Sequence, residues 1–143
     1  MSSGISNSPG WFPVAVQALV VIAGTEGLCS SSAMAQDLKA HAVFVRRVLA
    51  QLVRADIVQA REGRDGGYSL ARSADSITLA EVYQAVKIAD ASEGTACANG
   101  VNARVQNMLD EIGAEAEQHL LEILDHYTLA SVMQRVVVPG HSA

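Results

Sequence analysis

The stretch AVFVRRVLAQLVRADIVQAREGRDGGYSLAR, residues 42–72, decides how this chain folds. Its first half sets Val45, Val48, Leu49 and Leu52 at spacings of 3, 1 and 3, which is one face of a helix running from about Ala42 to Ala55. Val43, Arg46, Arg47 and Ala50 fall on the opposite face. Its second half reads as two short strands, Ile57–Arg61 and Tyr68–Ala71, separated by EGRDGG. Glycines there permit the positive φ values that a hairpin tip requires.

Upstream, Ser30, Ser31 and Ser32 offer capping hydroxyls to a short helix that reaches about Lys39, with Met34, Ala35 and Leu38 as its apolar stripe. The turn KAHA joins it to the helix above. Two short helices around a tight turn, the second with arginines on its outer face, form a helix-turn-helix. The hairpin that follows makes this a winged helix. An earlier helix begins near Pro13, buries Val14, Ala18, Leu19, Ile22 and Ala23, and ends at Gly24 and Gly27.

Downstream, TLAE (78–81) reads as a capping box in which Thr78 caps and Glu81 reaches back. The helix it starts turns Leu79, Val82, Val86 and Tyr83 inward. Residues 89–100 have no apolar period and read as a loop. Then Val101, Val105, Met108, Ile112, Ala116, Leu120, Ile123 and Tyr127 follow at spacings of 4, 3, 4, 4, 4, 3 and 4. A stripe of that length with nothing to cover it in cis implies a partner helix. Thr128 caps a last short helix that frays at Pro139–Gly140.

Charge is distributed unevenly. The chain of 143 residues has a formal net charge of −5, yet residues 39–72 hold seven basic groups (Lys39, Arg46, Arg47, Arg54, Arg61, Arg64, Arg72) against three acids. From residue 73 onward three basic residues face ten acids. A basic middle between acidic ends fits one face that meets a polyanion. The longest apolar run, residues 11–24, is too short to span a bilayer and is interrupted by Gln17. No basic segment precedes it as in a secretory signal, so a cytoplasmic protein without a membrane anchor is expected. A winged helix also serves as a protein-interaction module, and that alternative stays open on the residues alone.

The string 44–72 resembles the core of the Rrf2 family of bacterial transcription regulators. That family shows a leucine-rich L..L..AG.V turn after the recognition helix and a wing of the form G-x-G-G-G-Y-x-L-A. Gly63, Gly66, Gly67, Tyr68, Leu70 and Ala71 match; Asp65 replaces a usual glycine, and Asp56 stands where glycine is common. ITLAEVYQAV (77–86) and TLASVM (128–133) resemble the family's following and final helices. The resemblance implies a mainly α fold with a small β-hairpin wing and a long C-terminal dimerisation helix. It also implies a homodimer on an imperfect palindrome of double-stranded DNA, most often as a repressor.

The expected organisation is a DNA-binding winged helix over residues 8–88, a sensory loop over 89–100, and dimerisation and terminal helices over 101–138. Candidate DNA contacts are His41, Val43, Phe44, Arg46 and Arg47 on the recognition helix. On the wing they are Arg61, Arg64, Asp65, Gly66, Gly67 and Tyr68. The dimerisation set is Val101, Val105, Met108, Ile112, Leu120, Ile123 and Tyr127.

Several members of the family hold an iron–sulfur cluster on three cysteines of the sensory loop. Here that loop has Cys97 alone, so no cluster and no other cofactor or metal is expected. Cys97 is then a redox-sensing thiol or a small loop residue without a role, and the nearby Asp90 and Glu93 disfavour the thiolate. Cys29 reads as a half-buried small residue. No catalytic constellation stands out: Glu115–His119 and Glu122–His126 read as surface i, i+4 pairs, and no enzyme is expected.

Overall fold

The computed structural model describes residues 10–91 and 101–141. Helix α1, Trp11–Ala23, carries Pro13 in its first turn and stops at Gly24, whose N–H bonds back to the Val20 carbonyl. Its buried face is Val14, Ala15, Ala18, Leu19 and Ile22, while Ala23 stays partly exposed. Helix α2, Ser31–Leu38, is capped as expected, with Ser30 Oγ accepting from the Ala33 N–H at 3.1 Å. Lys39 then turns left-handed, φ 55°, and ends it.

Helix α3, Ala42–Arg54, buries Val45, Val48, Leu49 and Leu52. Each such side chain contributes roughly 1.5–3 kcal/mol on leaving water, which fixes the rotation of α3 and hence which side faces out. The helix closes in a Schellman arrangement: Asp56 N–H bonds to the Val53 carbonyl and Ile57 N–H to the Leu52 carbonyl. Asp56 occupies the left-handed conformation, φ 62°, that explains the glycine usual at this point of the motif.

Strands β1, Val58–Arg61, and β2, Gly67–Leu70, pair antiparallel with Val58 opposite Leu70 and Arg61 opposite Gly67. Ile57, expected in the strand, gives its N–H to the helix cap instead, although its carbonyl still accepts from Ala71 N–H at 2.9 Å. Cys29 adds a third edge to this sheet. Its N–H bonds to the Tyr68 carbonyl (3.0 Å) and its carbonyl accepts from Tyr68 N–H (2.8 Å).

A 3-10 turn, Ala74–Ser76, leads into helix α4, Leu79–Ala91, which extends three residues into the stretch expected to be loop. Thr78 Oγ1 caps the Glu81 N–H at 3.2 Å, but the other half of the expected capping box is absent, because the Glu81 carboxylate is drawn to Arg72. Helix α5 spans Val101–Leu124 and helix α6 Leu129–His141. The last helix therefore continues beyond Pro139–Gly140, where fraying was expected. Its start is a reciprocal cap, with Ser131 N–H on Thr128 Oγ1 and Thr128 N–H on Ser131 Oγ.

A single core collects α1, α2 and α3 with Ile57, Val58, Ile77, Val82, Val86 and Leu129. Leu129 brings the terminal helix back onto the winged helix, helped by the pairing of Thr78 with Thr128 across the starts of α4 and α6. Among the described residues no polar or charged side chain is buried.

Candidate nucleic-acid interface

With its apolar face committed to the core, α3 turns Val43, Arg47, Ala50 and Arg54 outward, flanked by Arg46. All five are exposed. Arg54 was absent from the candidate contacts, yet it lies seven residues, about two turns, beyond Arg47, and that spacing was the available signal. Val43 is 55% exposed and supplies an apolar side chain at the start of the helix. His41 takes the N-cap position without making a side-chain cap. The first turn of α3 thus lacks a side-chain acceptor from His41, which is itself exposed.

Phe44 differs from its neighbours. Its ring packs edge-on against Trp11, centroids 5.2 Å apart, so it fastens α3 to α1 and does not stand with the outward set. Tyr68, Gly66 and Gly67 also act inwardly. Tyr68 joins the wing to Cys29 through its backbone. A Cβ on Gly66 would lie 2.0 Å from the Arg61 carbonyl oxygen, and one on Gly67 would lie 2.9 Å from that of Cys29. The two glycines are required by close approach of backbone to backbone, which is what lets the wing fold tightly.

The polar tip of the wing is Arg61, Glu62, Arg64 and Asp65, all exposed. None of Arg46, Arg47, Arg54, Arg61 and Arg64 forms an ion pair with a described residue. Their guanidinium groups stay available to phosphates and base edges. Arg72 is different: it ion-pairs with Glu81 at 2.6 Å and is withdrawn from the basic surface that the charge count had assigned to it.

The long helix α5 has no buried residue, and Val101, Val105, Met108, Leu109, Ile112 and Ile123 are large hydrophobics left exposed on it. Leu109 was outside the expected stripe. Leu120 is half-buried. Tyr127 lies beyond the end of the helix, its ring under Arg135 at 5.3 Å and its carbonyl accepting from Leu79 N–H. The expected Glu115–His119 and Glu122–His126 pairs do not form. His119 Nδ1 instead meets Glu122 Oε1 at 3.5 Å, and His126 Nδ1 lies 2.7 Å from the Glu122 carbonyl oxygen. Cys29 is buried in the winged helix, 6% exposed. Cys97 lies outside the described residues.

Comparison with known proteins gives a consistent answer. The model of the Rrf2 family, described as an iron-dependent transcriptional regulator, matches residues 11–135. The chain is 31% identical over 127 residues to the candidate HTH-type transcriptional regulator YwnA of Bacillus subtilis, covering 86% of this chain and 94% of YwnA. It is 27% identical over 99 residues to the HTH-type transcriptional regulator IscR of Cereibacter sphaeroides, covering 67% of this chain and 64% of IscR, just under two thirds of that relative's length. Among solved structures, one described as a candidate DNA-binding protein superimposes with a TM-score of 0.68 at 31% identity, covering 87% of this chain and 99% of the other.

Proposed function

Because this chain belongs to the Rrf2 family of DNA-binding transcriptional regulators, a family of regulators and not of enzymes, we propose that it is a cytoplasmic repressor that binds an imperfect palindrome as a homodimer. The observation that carries the reading is the arginine set of α3 and the wing, without ion-pair partners among the described residues, on a fold that locks the other face of α3 into the core. Arg46 and Arg47 read base edges in the major groove, where an arginine fork matches guanine, and Val43 meets the groove as an apolar contact. Arg61 and Arg64 neutralise phosphates or enter the narrow minor groove. The exposed stripe of α5 meets its copy in the second protomer. No described helix is long and apolar enough to cross a membrane.

The residues do not fit an iron–sulfur cluster. Such clusters need several thiolates, the chain has two cysteines, and the Cys29 side chain is enclosed in the core. The proposed regulator therefore responds to another signal, which shifts the equilibrium between dimer geometries of different DNA affinity. Cys97 is the thiol to test as its receiver.

Binding to the duplex upstream of the protein's own gene, against a scrambled duplex and across a salt series, tests the proposal. Specific affinity about a thousandfold above random sequence, with a steep salt slope, is expected. Equal affinity for the two duplexes would overturn it. Repeating the titration after mild peroxide, with wild type and Cys97→Ser, assigns the signal: loss of binding only in wild type identifies a thiol switch. Sedimentation of the free protein reads the dimer, and a reporter behind the same duplex reads the sign of regulation.

A further inference from the structure

Arg72 follows the wing directly, outside the DNA-facing set, and its guanidinium meets three separate elements. Nε donates to the Asp56 carbonyl at 3.3 Å, Nη1 to the Ser76 carbonyl at 3.1 Å, and Nη2 to the Glu81 carboxylate at 2.6 Å. Asp56 terminates the recognition helix, Ser76 closes the 3-10 turn, and Glu81 sits in the first turn of α4. Further along α4, Lys87 Nζ reaches the Glu117 carboxylate of α5 at 2.8 Å. Helix α4 is thus braced at one end to the recognition helix and wing, and farther along to the long helix.

The apolar packing that α3 and α4 share in the core decides which faces meet, but being non-directional it holds the fine angle between the two helix axes less sharply. Three hydrogen bonds from one planar fork hold it more sharply, because each weakens steeply off its angle. We propose that Arg72, through Glu81, is a positioning residue that fixes the orientation of each recognition helix relative to α5, and so sets the half-site separation the dimer accepts. This rests on the homodimer reading above. One inserted base pair moves a half-site by about 3.4 Å and turns it by about a tenth of a helical turn. A braced dimer rejects that displacement, and an unbraced one absorbs part of it.

A residue that only stabilised the fold would, when lost, weaken binding to every duplex alike. A positioning residue changes the preference among separations. The experiment uses the full chain and a palindrome selected from randomised duplex by the wild-type protein. Affinities are measured for that palindrome, for versions with one base pair added or removed, and for an isolated half-site. Arg72→Gln is the main variant. Glu81→Gln keeps shape and backbone cap while removing the charge, so it remains informative if Arg72→Gln folds poorly.

Wild type is expected to favour the selected separation, and Arg72→Gln to lower that preference about fivefold to tenfold with half-site affinity held within about twofold. Glu81→Gln moves the same ratio in the same direction by less. Unchanged ratios in both variants, or an equal loss on all four duplexes, would overturn the assignment. If wild type itself bound the half-site but showed no preference among separations, the dimer reading would fall and this proposal with it. That outcome is distinct because it appears before any substitution.

Discussion

Helices α3 and α5 are written with the same device, apolar residues three and four apart, and end in opposite states. In α3 the four periodic residues are enclosed by the chain's own core. In α5, 24 residues long, no residue is buried, and Val101 is 73% exposed. Periodicity reports which face of a helix is apolar and says nothing of what covers it. The winged helix completes itself within one chain; the long helix leaves its apolar stripe uncovered by that chain, and this is the surface assigned above to the proposed second protomer.

The strongest way to break that contrast is to charge the exposed stripe. Met108→Glu with Ile112→Glu places four uncompensated carboxylates in the proposed dimer interface, which is expected to cost more than about 5 kcal/mol per dimer. Sedimentation should show a monomer, circular dichroism should show the helical content kept, and palindrome affinity should collapse. If α5 were a free surface, neither the association state nor the affinity would move. The complementary change in the other helix, Leu49→Ala, removes a side chain with 0% exposure and should destabilise the winged helix by about 2–5 kcal/mol. A urea midpoint reads it. Together the two variants separate loss of association from loss of fold.

A smaller effect sharpens the difference between the faces of α3. Arg47→Ala should lower operator affinity by about 1–3 kcal/mol if its fork makes a bidentate base contact, and should relax specificity at that base pair. Arg64→Ala on the wing should weaken binding to all sequences alike and reduce the salt slope by about one. Anisotropy titrations on operator and scrambled duplex distinguish the two patterns.

Much of this is legible in the sequence. The inward set of α3, the Ser30 cap, the hairpin and the uncovered stripe follow from rules that act over a few residues. What escaped the sequence depends on distant partners. Glu81 fits a capping box by spacing, yet a guanidinium nine residues upstream outcompetes the backbone N–H for its carboxylate. Arg72 was counted as surface charge for the same reason. Phe44 carries no local sign that Trp11 will claim its ring. Cys29 reads as a small residue beside a turn, and only the folded sheet makes it the third edge of the wing. Gly66 and Gly67 were legible as turn residues but not as points where two backbones touch.

The end of α3 offers the finest test of its self-sufficiency. Asp56 holds φ at 62°, a conformation that costs most residues with a Cβ, while its N–H and that of Ile57 complete the helix cap. Asp56→Gly relieves that strain and keeps the carbonyl that accepts from Arg72. Glycine also widens the freedom of the unfolded chain, which offsets part of the gain, so a net stabilisation of about 0.5–1 kcal/mol is expected, read as a higher urea midpoint at constant slope. The substitution also deletes a negative charge near the arginines, so DNA affinity could rise for an unrelated reason. Asp56→Asn separates the two: it removes the charge while keeping a side chain that tolerates this conformation. A rise in stability confined to the glycine variant assigns the gain to the backbone, and an equal rise in both would assign it to charge.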